Sequence, residues 1–237
     1  NESQTRKAEP VNARYYYRTN GLVNLDKSNM PSYQPEAYQK PGCPIIVDLN
    51  GDGLITVEDV DMKNVIPSLY WGFGNTFTYK NWDLDVFIYS QLGVDKYNDV
   101  YSWTSGRGLG NQTNNMSVYI KDVWHSELNP NGTIPGIAYE MASVSLPGGA
   151  GTDIGYENSS FVRVRNITLG YNFKPNQLGA LSKLLSGIRV YVDVQNPFTF
   201  TGYTGLDPEV NTGGNYKGGK AEYPQTRTFS LGAKLSF

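Results

Sequence analysis

The last nine residues, Phe229-Ser-Leu-Gly-Ala-Lys-Leu-Ser-Phe237, constrain the fold more than any other stretch. Phe229, Leu231, Ala233, Leu235 and Phe237 fall on one face of an extended strand, and Ser230, Gly232, Lys234 and Ser236 fall on the other. A soluble protein rarely ends on a full strand with an uninterrupted apolar face. A transmembrane barrel strand has this pattern, with one side against lipid and the other toward a wet lumen. The closing strand of a soluble β-sandwich has it too, so alternation alone leaves both folds open.

Composition narrows the choice without closing it. The 237 residues are 39% hydrophobic with a mean hydropathy of -0.45, and nowhere do they run to the ~20 apolar residues of a membrane helix. Barrel strands escape that test because their lipid face is hidden in the alternation. The 18 Tyr, 9 Phe, 4 Trp and 26 Gly favour β structure with many turns and aromatic girdles. A net charge of -2 argues against a general nucleic-acid binder. Cys43 is the only cysteine, which rules out an intrachain disulfide and Cys-based zinc sites. The start, Asn1-Glu-Ser-Gln-Thr-Arg-Lys, lacks the apolar core of a signal peptide. A secreted or outer-membrane protein with this sequence is expected to be a mature form or a piece of a longer chain.

Residues 1–14 read as a flexible lead-in, 15–23 as a short strand and 24–47 as an exposed Pro-containing loop. A short helix is expected before Pro67. The strongest hairpin follows: Trp71, Phe73, Phe77 and Tyr79 share a parity, a tight turn falls near Lys80-Asn81, and Trp82, Leu84, Val86 and Ile88 continue the pattern. Each arm matches the 9–11 residues that a tilted strand needs to cross hydrocarbon. Tyr79 and Trp82 beside the turn fit an interfacial aromatic belt. Residues 93–158 form a long irregular loop, with a helical turn near 118–124.

Three more strands cover 160–173, 187–200 and 226–237. In the first, Ile167, Leu169, Tyr171 and Phe173 oppose the parity of Val162 and Val164, which predicts a bulge near Arg165-Asn166. About six strands cannot close a barrel, so the chain is expected to be incomplete on its own.

Asp48-Leu-Asn-Gly-Asp-Gly-Leu-Ile-Thr-Val-Glu-Asp59 has the order of a calcium loop. Side-chain oxygens of Asp48, Asn50 and Asp52 occupy positions one, three and five, and Gly53 allows the sharp turn. The Leu54 carbonyl, Thr56 through water and Asp59 complete the set. Hard oxygen donors suit Ca²⁺ over a transition metal. The closing Asp in place of Glu resembles dockerin-type extracellular loops, for which an affinity on the order of 10⁻⁴–10⁻³ M is expected. A metal-free turn is the alternative.

These pieces occur in an order that resembles the C-terminal portion of SusC/RagA-like TonB-dependent outer-membrane transporters. The resemblance is carried by residues 48–55, Tyr70-Trp-Gly-Phe-Gly-Asn-Thr-Phe-Thr-Tyr-Lys-Asn-Trp-Asp-Leu, 124–135, 160–171, 190–203, Gly205-Leu-Asp-Pro-Glu and 223–229, covering about 15–237. It implies an all-β fold: an antiparallel transmembrane β-barrel segment, the C-terminal strands of a 22-stranded barrel, with long extracellular loops. It implies as partners the remainder of the barrel and its plug, a SusD-like surface lipoprotein, outer-membrane lipid, and TonB acting through the missing plug. The implied activity is import of oligosaccharides or peptides. Ser230, Gly232, Leu235 and Phe237 resemble the C-terminal signal that such barrels present to their assembly machinery.

Tyr97, Tyr101, Trp103 and Trp124 lie in the long loop and are candidates for contact with substrate or lipoprotein; loop packing is the alternative. Arg163, Arg189, Asp193 and Asp85 are placed toward the lumen. The competing function is a secreted, calcium-stabilised β-sandwich that binds carbohydrate. No catalysis is predicted: the single histidine, His125, sits in a Pro/Asn/Gly-rich loop, and the close acid pairs read as solvated faces or ligands.

Overall fold

Strand length divides the chain. Four short strands come first: β1 (Arg14–Tyr17), β2 (Thr19–Leu22), β3 (Pro44–Ile46) and β4 (Val60–Lys63). Two long ones follow, β5 (Leu69–Tyr79) and β6 (Trp82–Leu92), then the short β7 (Asp95–Tyr97), helix α1 (Asp99–Thr104), β8 (Gly151–Thr152) and β9 (Tyr156–Asn158). The long β10 (Phe161–Phe173), β11 (Gly187–Thr201) and β12 (Thr228–Ser236) close the sequence. This computed structural model describes residues 14–104, 116–136, 146–210 and 223–237, leaving aside the side chains of Asp99, Ser102, Trp103 and Gly149. The expected lead-in therefore lies outside the described residues except for Arg14. The chain divides into two compact units, one of short strands and one of long.

The long strands make a five-stranded antiparallel sheet in the order β12-β11-β10-β6-β5. The β5–β6 hairpin closes through Lys80 and Asn81 with Tyr79 opposite Trp82. Lys80 takes a positive φ of 57° to make that turn. Register aligns the apolar positions across the sheet: Phe77 and Leu84, Leu84 and Leu169, Leu169 and Val192, Val192 and Leu231 are successive neighbours. Phe229 is 70% exposed and Leu231 78% exposed, so among the described residues nothing covers this apolar face at β12. At its short-turn end Trp82 packs edge-on to Tyr171 at 4.8 Å, and Tyr171 to Phe173 at 4.7 Å. Trp82, of the two aromatics expected at the belt, thus belongs to a chain of ring contacts, and Tyr79 lies opposite it in the hairpin.

The bulge expected near Arg165-Asn166 is present: the register shifts between Val164 and Asn166 against both neighbours. Opposite it, Asn196 adopts a φ of 49°, a conformation Asn tolerates better than most residues. The extra residue restores the facing of the strand, so that Val162 and Val164 join Ile167, Leu169 and Tyr171 on the apolar side. Five strands form the sheet, one fewer than the sequence suggested. The segment 15–23 is interrupted at Arg18 and divides between two other small sheets.

In the short-strand unit, β1 sits between β4, antiparallel, and β8, parallel. The helix expected before Pro67 is instead β4, because Val60–Lys63 pairs residue by residue with Arg14–Tyr17. The stretch 24–47 is not simply an exposed loop. Tyr38, Cys43 and Ile46 are buried with Tyr17, Leu146 and Ala150 in one apolar cluster. The Tyr17 hydroxyl reaches the carbonyl oxygens of Thr56 (2.9 Å) and Pro147 (3.0 Å), drawing distant loop segments together. Burial pushes the Cys43 thiol up to about 11, which marks it as an unreactive core side chain.

Candidate functional site

The polar face of the long sheet is built by the same alternation that builds its apolar face. Thr76, Asp85, Thr168, Asp193 and Ser230 lie in one row across all five strands. Thr168 Oγ1 donates to Asp193 at 2.7 Å, and Thr76 Oγ1 donates to Asp85. Toward the short-turn end, Arg189 pairs with Asp83, which also accepts from Asn172 Nδ2 at 2.5 Å. Gly170 lies directly beneath this pair: a Cβ there would stand 2.7 Å from Arg189 Nε. The absence of a side chain is what lets the ion pair cross the strand. Arg163, Arg189, Asp193 and Asp85 therefore share the face expected from the sequence.

A second cluster occupies the opposite end of this face. Arg163 is 2% exposed and its guanidinium is fully engaged. Nη2 donates to Asp207 Oδ1 at 2.8 Å, Nη1 to Glu209 Oε2 at 2.6 Å, and Nε to Thr199 Oγ1 at 2.9 Å. Arg165 pairs with the second oxygen of Glu209. Burial alone would raise the Asp207 carboxyl. The N–H groups of Glu209 and Gln225, together with Arg163, outweigh it and hold the group below the usual carboxylate range. One buried arginine, one half-buried arginine and two carboxylates satisfy one another here. Asp207 and Glu209 belong to Gly205-Leu-Asp-Pro-Glu, yet nothing local in that motif reveals a partner 44 residues away.

The loop 48–59 takes up a tightly hydrogen-bonded form. Asp48 accepts from Gly51 N at 2.7 Å and Gly53 N at 2.8 Å, and Asp52 accepts from Leu54 N at 2.8 Å. Asn50 Oδ1 accepts from Asp52 N at 3.0 Å. Asp59 is fully buried and accepts from Leu49 N and Thr56 N at 3.0 and 2.7 Å. Burial would raise this carboxyl, but the N–H groups of Thr56, Asn50 and Leu49 bring it below its ordinary value. Among the described residues, no three His, Cys, Asp or Glu side chains converge as a metal cluster. Asp48 and Asp52 each accept two hydrogen bonds and retain lone pairs that suit a hard cation, whereas Asp59 already accepts from Leu49 N, Asn50 N, Thr56 N and Thr56 Oγ1.

Two of the four loop aromatics make described ring contacts. Tyr97 packs edge-on to Tyr156 at 5.2 Å, and Tyr101 to Tyr119 at 5.4 Å. Trp124 is half-buried, with its ring over Gly136. Trp103 lies in α1, and its side chain is outside the described residues. His125 Nδ1 accepts from Leu128 N at 3.1 Å, closing a turn. At the end of the chain, Gly232 lies under Tyr191, Leu235 is on the apolar face, and Phe237 is 89% exposed.

No protein-family model matches the chain. The TonB-dependent receptor SusC of Bacteroides thetaiotaomicron is 33% identical over 208 residues, covering 85% of this chain and 19% of the relative. TonB-dependent receptor P3 of Formosa agariphila is 28% identical over 241 aligned positions, covering 98% of this chain and 23% of the relative. The structure of the RagAB peptide transporter superposes with a TM-score of 0.67 at 24% identity, covering 95% of this chain and 22% of that one. This chain is part of a SusC/RagA-like TonB-dependent receptor. Its long sheet is a segment of an antiparallel transmembrane β-barrel, which explains apolar residues left facing outward. The chain spans 16–23% of the length of the curated relatives it matches. Those relatives are receptors, and the matching solved chain is a transporter component.

Proposed function

We propose that this chain supplies barrel wall and loops to an outer-membrane importer of oligosaccharides or peptides. A SusD-like lipoprotein would work with it at the cell surface, and TonB would energise it through a plug outside this chain. The observation that carries the reading is the long sheet, exposed and apolar on one face and ion-paired on the other. It is supported by likeness to SusC and to the RagAB peptide transporter. The irregular connections would face outward and the two-residue Lys80-Asn81 turn inward, as short turns do in such barrels. The chain would act by binding and conducting, without catalysis.

Two further roles follow from the same reading. Loop 48–59 would take Ca²⁺ through Asp48, Asn50, Asp52 and Asp59, with the Leu54 carbonyl and Thr56 completing the shell. The ion would staple the loop. Ser230, Gly232, Leu235 and Phe237 would present the barrel to its assembly machinery. Calcium titration followed by heat denaturation tests the first role: a melting temperature indifferent to millimolar Ca²⁺ and to EDTA would remove it. Replacing Phe237 by Ser tests the second, because unchanged outer-membrane yield would eliminate an assembly role.

The deciding experiment for the importer is to extract the native receptor in detergent and identify what co-purifies. Recovery in the outer-membrane fraction with a surface lipoprotein, and loss of oligosaccharide or peptide uptake on deletion of the gene, are expected. A secreted calcium-stabilised β-sandwich that binds carbohydrate would instead be recovered as a folded monomer without detergent. The exposure of Phe229 and Leu231 speaks against that form, since a sandwich covers its apolar faces.

A further inference from the structure

We propose that Asp207 is a carboxylate latch that closes the base of the β11–β12 connection and seats it on the barrel wall. The two oxygens of Asp207 act in different directions. Oδ1 accepts from Arg163 Nη2 on β10 at 2.8 Å and from the Glu209 N–H at 2.8 Å. Oδ2 accepts from the Gln225 N–H at 2.9 Å, on the other side of the connection and three residues before β12. One side chain therefore joins the outgoing and the returning backbone. Arg163 binds that junction to the sheet, and its Nε donates to Thr199 of β11.

The charged groups facing Asp207 are Arg163 and, through Glu209, Arg165; Glu209 bridges the two arginines. Asp207 is 6% exposed, so water does not compete for the junction. The bulge between Val164 and Asn166 is part of the device. It allows Arg163 and Arg165 to lie on the same face as Asn166, Thr168 and Gly170 while Val162 and Val164 remain apolar-facing. The latch holds the first strand residues of β12 against β11.

The test is amide hydrogen exchange on the whole receptor, read in peptides covering 204–210 and 223–228. In the natural protein the Glu209 and Gln225 amides should exchange slowly. Asp207→Ala should accelerate both at least tenfold while the amides of β10 and the centre of β11 keep their protection. Gln225→Pro removes the far donor without altering a charge. It should accelerate exchange over 226–228 and leave Glu209 protected. Unchanged exchange at Glu209 and Gln225 in a folded Asp207→Ala protein overturns the latch. Should that variant fail to fold, unchanged exchange over 226–228 in Gln225→Pro overturns it equally.

Discussion

The two units of this chain treat the same side chains in opposite ways. In the short-strand unit, Tyr17, Tyr38 and Ile46 are sealed into a core, with the Tyr17 hydroxyl directed at backbone carbonyls. In the long sheet, Phe77, Leu169, Val192 and Leu231 are left exposed in one row on four of the five strands, with Leu84 of β6 half-buried between the first two. A contiguous apolar face of this extent is unstable in water. Beside hydrocarbon it needs no covering, and the ion pairs belong on the reverse side. The lesson is that burial within the chain reports which solvent each unit was built for.

Deleting Arg165 should have the largest effect. Without the bulged residue, Val162 and Val164 would turn toward the polar face and Arg163 toward lipid, because a one-residue slip inverts facing. Loss of the heat-modifiable folded band on a gel is expected. A deletion variant that folds normally would break the idea that facing is what separates the units. Tyr17→Ala comes next, with a loss of about 3–5 kcal/mol in the stability of the short-strand unit, as for other buried aromatics. Denaturant unfolding measures it, and a cost near that of the exposed Leu231→Ala would erase the contrast.

Leu231→Arg should cost about 2–4 kcal/mol when the receptor is refolded into lipid vesicles, if position 231 lies near the bilayer midplane. Its neighbour Ser230→Arg, on the polar face, should cost far less. Equal costs would mean that the two faces meet the same medium.

The smallest effect expected is on acid sensitivity. Asp59 and Asp207 both have carboxyls held below the ordinary range. A lowered folded value contributes stability that is complete above the unfolded value of about 4 and fades as pH falls through the folded value. Urea midpoints should therefore be insensitive to these groups between pH 7 and 5 and decline below about 4. Asp59→Asn should weaken that dependence in the short-strand unit and Asp207→Asn in the sheet. A variant with undiminished acid sensitivity would remove its carboxylate from the account.

Much of the sheet was legible because alternation is a local signal. The hairpin around Lys80-Asn81, the closing strand and the bulge near Arg165 each follow from neighbouring residues. Tyr15–Val23 reads as one short strand, and the interruption at Arg18 that makes it two becomes evident only when β1 finds β4 and β8. The segment 24–47 carries no period, so nothing in it announced that Tyr38 and Cys43 would be core. The turn in loop 48–59 was legible from its Asn-Gly-Asp-Gly run, but the three N–H groups that hold Asp59 depend on how its chain closes.

The sequence by itself determined the two-faced strands, the turn, the bulge and the family to which they belong. These rest on periodicity and on short ordered motifs, properties that a single strand already has. Only the tertiary structure decided that Arg163 meets Asp207 and Glu209, that Gly170 makes room for Arg189 and Asp83, and that distant loops share the Tyr17 core. Each of those joins residues far apart in the chain. Their energies exist only after strand register has brought them within a few ångströms, and register is a property of the whole sheet.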